Sequence, residues 1–160
     1  MFRFAMCTAL VLTTGCAATK AETKKEEPVA TTTAAEPAQD NRPLYDRIGG
    51  MKGVEFVVDG FMARALKDET MSYMWAGTDL PRVRQRIIDF ICVGTGGPCK
   101  YTGRDMGEAH KHLHITGAQF DTLVGHLIEA MNQGKVPERE KGEILAILGP
   151  MKGAIAPEKQ

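Results

Sequence analysis

Aromatic residues are scarce in this chain. They make up 6% of its 160 residues, with a single tryptophan, so aliphatic and methionine side chains must build most of any core. Net charge is absent: 20 Lys and Arg offset 20 Asp and Glu, and nothing in that balance carries the basic footprint of nucleic-acid binding. Long apolar runs are missing too. The stretch Phe4–Leu12 is far too short to span a bilayer as a stable anchor. From Leu44 onward no run alternates with period two, which argues against β-strands. The four cysteines include no Cys-x-x-Cys, which argues against a redox pair of that kind.

What is present divides the chain into four parts. Residues 1–16 carry Arg3, the short apolar stretch, and then Thr13-Thr14-Gly15-Cys16. Small residues before a cysteine resemble the lipobox of bacterial lipoproteins, with Thr13 standing where leucine is usual. That resemblance implies cleavage before Cys16 and its acylation. Ala17 in place of Asp further implies sorting to the periplasmic face of the outer membrane. A plain signal peptide, giving a soluble periplasmic protein, is the alternative. Residues 17–42 are Ala, Thr, Lys, Glu and Pro with almost no large apolar side chains, and read as a disordered tether. Residues 43–153 form the folded domain, and 154–160 a tail. Cys7 leaves with the signal, so Cys92 and Cys99 remain as an even pair in an oxidising compartment. The glycine-rich stretch between them is pliable enough to let them form a disulfide. Two free, partly buried thiols are the other reading.

Helical spacing dominates the domain. Apolar stripes run through Val54, Val57, Val58, Phe61, Met62, Ala65 and Leu66; through Leu80, Val83, Ile87, Phe90 and Ile91; through Phe120, Leu123, Val124, Leu127, Ile128 and Met131; and through Ile144, Leu145, Ile147, Leu148 and Met151. Breaks fall at Gly49-Gly50, at Asp79-Leu80-Pro81, and along the loop Gly94–Gly103. Thr116 is placed to cap a helix over 117–133, and Pro137 opens the last one. The fold class is therefore all-α, and core packing is the default explanation of the stripes.

Three of the four histidines, His110, His112 and His114, crowd into five residues. No cysteine or carboxylate set closes a zinc site around them. An iron porphyrin asks less of a protein, because the macrocycle supplies four nitrogens and one axial imidazole suffices.

The surrounding motifs resemble those of the group 1 truncated haemoglobins. They are Leu44-Tyr45-Asp46-Arg47-Ile48-Gly49-Gly50, then Val58-Asp59-Gly60-Phe61, then Gly96-Gly97 with Lys100-Tyr101-Thr102-Gly103-Arg104-Asp105-Met106, then Glu108-Ala109-His110, Phe120-Asp121 and Val136-Pro137-Glu138. The resemblance implies a two-over-two helical sandwich around haem b (iron protoporphyrin IX). It makes His110 the proximal ligand, a neutral imidazole whose other nitrogen donates to a backbone carbonyl. His112 and His114 are alternative ligands, and His126 is expected on the exposed side of its helix. Met106, Phe90, Trp75, Ile115, Phe120, Val124 and Leu148 become expected wall residues. Arg82, Lys100, Tyr101 and Arg104 become candidates for the haem propionates. With no Cys-x-x-Cys-His, attachment is expected to be non-covalent.

The opposite side of the expected haem departs from the family. Met62 stands where a tyrosine is typical, Val83 and Ile87 where glutamines are common, and Arg86 where histidine is frequent. The expected distal pocket is apolar, with Arg86 or Tyr73 the nearest substitute donors. The function this implies is binding of oxygen or another diatomic gas (NO or CO) at a pentacoordinate iron, assisted by an unidentified redox partner if the iron must be re-reduced. Nitric oxide dioxygenase or peroxidase activity, electron transfer through His/Met ligation by Met62, and a haem-free helical interaction module are the competing readings.

Overall fold

A computed structural model describes residues 40–157. The expected targeting segment with Cys16, most of the expected tether and the last three residues lie outside the described residues. Eight α-helices are described: α1 (Leu44–Arg47), α2 (Gly50–Ala65), α3 (Ser72–Trp75), α4 (Leu80–Gly94), α5 (Met106–His110), α6 (Gly117–Gln133), α7 (Glu138–Leu148) and α8 (Lys152–Ile155). Single 3-10 turns precede α3 (Glu69–Met71) and α8 (Gly149–Met151). Among the described residues no helix is long and apolar enough to cross a membrane.

Local chemistry sets the helix ends. Thr116 and Gln119 form a capping box at α6: the Gln119 amide donates to Thr116 Oγ1 at 3.2 Å, and the Thr116 amide donates to Gln119 Oε1 at 3.0 Å. Asp79 caps α4 by accepting from the Arg82 amide at 3.2 Å, with Pro81 in the first turn. Asp105 caps α5 through the Gly107 amide at 2.9 Å. The α4 and α6 termini agree with the sequence expectation. Two segments do not follow from periodicity. The connection from α2 to α4 folds into a 3-10 turn and the short α3. The expected tail begins inside α8, where Ala156 is 3% exposed.

The frame is tied at the α1–α2 corner. Gly49 and Gly50 adopt φ of 97° and 64°, a region open to glycine at little cost. The chain turns so sharply that a β-carbon on Gly53 would lie 1.8 Å from the Ile48 carbonyl oxygen. Arg47, its side chain 6% exposed, inserts its guanidinium between Glu140 and Glu143 of α7. Helix α2 packs on both α4 and α6, and α1 packs on α7. The apolar interior falls into two clusters. One centres on Val54, Val58, Ile88, Met131 and Ile144, the other on Met71, Met74, Ile115 and Phe120.

Two outcomes follow for stability. Gly53→Ala is expected to cost more than about 2 kcal/mol through the clash with Ile48. Gly142→Ala, in an exposed turn of α7 with open space around it, is expected to gain roughly 0.5–1 kcal/mol; urea midpoints at constant m-value check both. Hydrogen bonding from Arg47 holds the Glu143 carboxyl below the usual glutamate range. A carboxyl depressed in the folded state contributes stability that is present above its unfolded pKa of about 4.3 and lost as pH falls through the folded value. Glu143→Gln should therefore flatten the fall of Tm on acidification below about pH 5, the region where such carboxylates titrate.

Candidate functional site

A cavity of about 610 Å³ lies against both clusters, within the roughly 300–1,000 Å³ range of cofactor sites. Every α-helix from α2 to α8 contributes at least one residue to its wall. Helix α2 supplies Val58 and Phe61, the α2–α4 connection Met74, Trp75 and Thr78, and α4 the face Arg82, Val83, Arg86, Ile87, Phe90 and Ile91. The loop after α4 adds Tyr101–Arg104. Helix α5 adds Met106, Ala109 and His110; α6 adds Phe120, Leu123, Val124 and Leu127; the C-terminal end adds Leu148, Met151 and Ile155.

His110 is the last residue of α5 and half-buried. Its Nδ1 lies 2.8 Å from the Met106 carbonyl oxygen. A carbonyl oxygen only accepts, so Nδ1 carries the hydrogen and the neutral ring keeps a lone pair on Nε2. No hydrogen bond among the described residues engages Nε2, and no group of three or more metal-ligating side chains occurs among them. His112 and His114 are exposed and outside the cavity wall. His114 has a φ of 50°, which marks the end of the helical turn.

At the mouth, Arg82 and Arg104 are exposed, and Arg86 is half-buried with its guanidinium donating to Thr102 Oγ1. Tyr101 donates to the Arg104 carbonyl at 2.8 Å and meets Phe90 edge-on, with ring centroids 5.5 Å apart. Burial pushes the Tyr101 phenol above its ordinary value. Lys100 is exposed and forms no part of the wall. Trp75 donates from Nε1 to the Ala65 carbonyl at 3.2 Å, which orients its ring. Cys92 and Cys99 are bonded, with Cα atoms 5.9 Å apart.

Three expectations require correction. Met62 is 6% exposed within the core cluster and does not line the cavity; Phe61, beside it on α2, does. The α2 stripe is wide enough to serve two neighbours, and Phe61 lies on the edge that meets the cavity. Tyr73 is 50% exposed and bonds Gln119 Oε1 at 3.3 Å, so it is not a donor into the cavity. His126 is not free on the surface: its Nε2 lies 2.9 Å from Asp68 Oδ2 in a half-buried pair. The hydrogen bond from the Thr70 hydroxyl, followed by the His126 contact, holds the Asp68 carboxyl below its usual range.

The sequence pattern of bacterial-like globins matches residues 43–156. The chain belongs to the bacterial-like globin family. It is 38% identical to a group 1 truncated haemoglobin of Mycolicibacterium paratuberculosis, over 76% of this chain and 87% of that one. It is 36% identical to another from a Nostoc species, over 70% and 95%. Its fold superimposes on the 2/2 haemoglobin of a Synechococcus species, solved in the cyanomet state with covalently attached haem (TM-score 0.69, 25% identity, 73% of this chain and 100% of that one). The fold of ferric truncated haemoglobin from Tetrahymena pyriformis agrees equally well, at 23% identity over 73% of this chain and 100% of that one. The architecture is thus the two-over-two truncated globin fold, and membership of the family implies haem binding. The cavity of this globin fits that group: its walls are mostly apolar, one imidazole has a preset tautomer, and Arg82, Arg86 and Arg104 supply cations along its lining.

Phe61, Met74, Leu123 and Ile155 are wall residues that the sequence reading missed. The first two carry no signal that separates them from core positions. Leu123 belonged to a recognised stripe, whose cavity-facing edge extends past Phe120 and Val124.

Proposed function

We propose that this globin holds haem b non-covalently with His110 as its proximal ligand and binds a diatomic gas on the opposite side. The bond from His110 Nδ1 to the Met106 carbonyl carries the reading, because it orients the ring and leaves Nε2 as the ligating atom. Haem iron, when bound, supplies a coordination position for O2, NO or CO. The remaining work falls to the chain. Phe90, Ile115, Phe120, Val124 and Leu148 exclude water from the ring faces, Trp75 closes the wall beside α2, and Met106 fills the turn before His110. Arg82, Arg86 and Arg104 line the cavity as candidates to meet the propionates by charge-assisted hydrogen bonds, whereas the Tyr101 hydroxyl is already committed to the Arg104 carbonyl.

Val83, Ile87 and Phe61 offer a gas no hydrogen-bond donor. A donor stabilises a polar bound ligand by roughly 1–3 kcal/mol, so its lack weakens oxygen relative to carbon monoxide. Arg82 and Arg86 are the charged groups on that face of α4, and Arg86 donates to Thr102. His/Met ligation has lost its candidate with Met62 in the core. Wild-type apoprotein and His112→Ala are expected to take up hemin with the same sharp absorption band, and His110→Ala to lose that band or bind at least tenfold more weakly. Equal uptake by His110→Ala would sink the assignment.

We also propose that the domain is exported and anchored through acylated Cys16 on the periplasmic face of the outer membrane. The lipobox-like Thr13–Cys16, the polar tether and the Cys92–Cys99 bond support this reading. Cys16→Ser should shift the protein from the membrane pellet to the soluble fraction; an unchanged distribution would contradict acylation.

A further inference from the structure

The Cys92–Cys99 bond joins the last turn of the cavity-lining α4 to the loop that leads to α5. Cys92 is fully buried. Two residues before it Phe90 lines the cavity, and two residues after Cys99 so does Tyr101. Backbone hydrogen bonds secure the start of this loop: Gly97 donates to the Cys92 carbonyl at 2.7 Å, and Tyr45 donates to the Thr95 carbonyl at 2.8 Å. Among the described residues none of the backbone-to-backbone bonds involves residues 98–104. The position of that stretch rests on three ties to α4: the disulfide, the edge-on contact of Tyr101 with Phe90, and the bond from Arg86 to Thr102. Tyr101 is in turn gripped by its own loop. Its hydroxyl reaches the Arg104 carbonyl, and its ring lies so close over Gly103 that a β-carbon there would come within 2.2 Å.

We propose that the Cys92–Cys99 disulfide is a positioning element for haem retention that acts through Tyr101, holding the loop so that this ring closes the cavity mouth against Phe90. The proposal rests on the haem reading above. A covalent tie fixes residue 99 against α4, and Tyr101, two residues on, is thereby held within reach of Phe90. Without it, the tyrosine must find Phe90 from a loop whose backbone is otherwise untethered, and the entropy of ordering opposes the contact.

Hemin transfer from the full-length holoprotein to excess apomyoglobin tests this. Cys92→Ala/Cys99→Ala and Tyr101→Ala are each expected to speed hemin loss up to about tenfold, the scale of a lost aromatic pair. The triple variant should lose hemin no faster than Tyr101→Ala alone. Gly103→Ala, which keeps the disulfide but displaces the ring, should match Tyr101→Ala. Amide hydrogen exchange over residues 100–105 should quicken in the cysteine variant while α2 and α6 stay protected. A general loss of stability would instead give multiplied effects in the triple variant, and that result overturns the proposal. So does an unchanged rate in the cysteine variant. Wild-type protein that takes up no hemin overturns the haem reading as well, whereas normal uptake with unchanged release in the cysteine variant overturns this inference alone.

Discussion

A small domain normally closes its interior by interdigitating side chains, yet this one must keep a cavity of about 610 Å³ between its helices. The rest of the structure answers to that constraint. Apolar residues fall into two clusters rather than one, and members of both face the cavity. The frame is held at its periphery by devices that do not depend on a filled centre. These are the glycine corner before α2, the Arg47 guanidinium between two α7 carboxylates, the Thr116–Gln119 capping box and the Cys92–Cys99 bond. Helix α5, which carries His110, is short, five residues, and packs against α8. The C-terminal segment therefore belongs to the site, with Ile155 in its wall.

Much of this was legible in the sequence because its signals are local. Thr116 followed three residues later by Gln119 announces α6, Asp79 before Pro81 announces α4, and paired glycines mark the corner at α2. The proposed role of His110 comes from motifs in order, and the structure adds the bond to Met106 that a four-residue helical spacing makes geometrically natural. What was not legible depends on long-range packing. Periodicity identified the α2 stripe but could not tell which of Phe61 and Met62 meets the cavity, since both lie on its apolar side. His126 looked exposed because it stands off its stripe; its partner Asp68 is 58 residues away in a connection without periodicity. That same connection, residues 66–79, folds by caps and single contacts and leaves no stripe to read.

The two sides of the proposed haem site differ in kind. The His110 side is built from a specific hydrogen bond that selects one tautomer. The other side is built from Val83, Ile87 and Phe61, which exclude water without offering a donor, with Arg86 drawn toward Thr102. A site of this design discriminates among gases chiefly through what it withholds, so ligands that need no donor are favoured over oxygen. The loop bearing Tyr101, proposed to close the mouth between the sides, has no backbone-to-backbone bonds over residues 98–104 among the described residues.

The central claim is that His110 alone, through Nε2, serves as the protein's iron ligand in the proposed holoprotein. Resonance Raman spectroscopy of the unliganded ferrous form tests it most directly. The account predicts a five-coordinate high-spin spectrum with an iron–histidine stretching band that disappears in His110→Gly and returns when imidazole is added. A six-coordinate low-spin spectrum without added ligand, or an iron–histidine band that survives in His110→Gly, would contradict it.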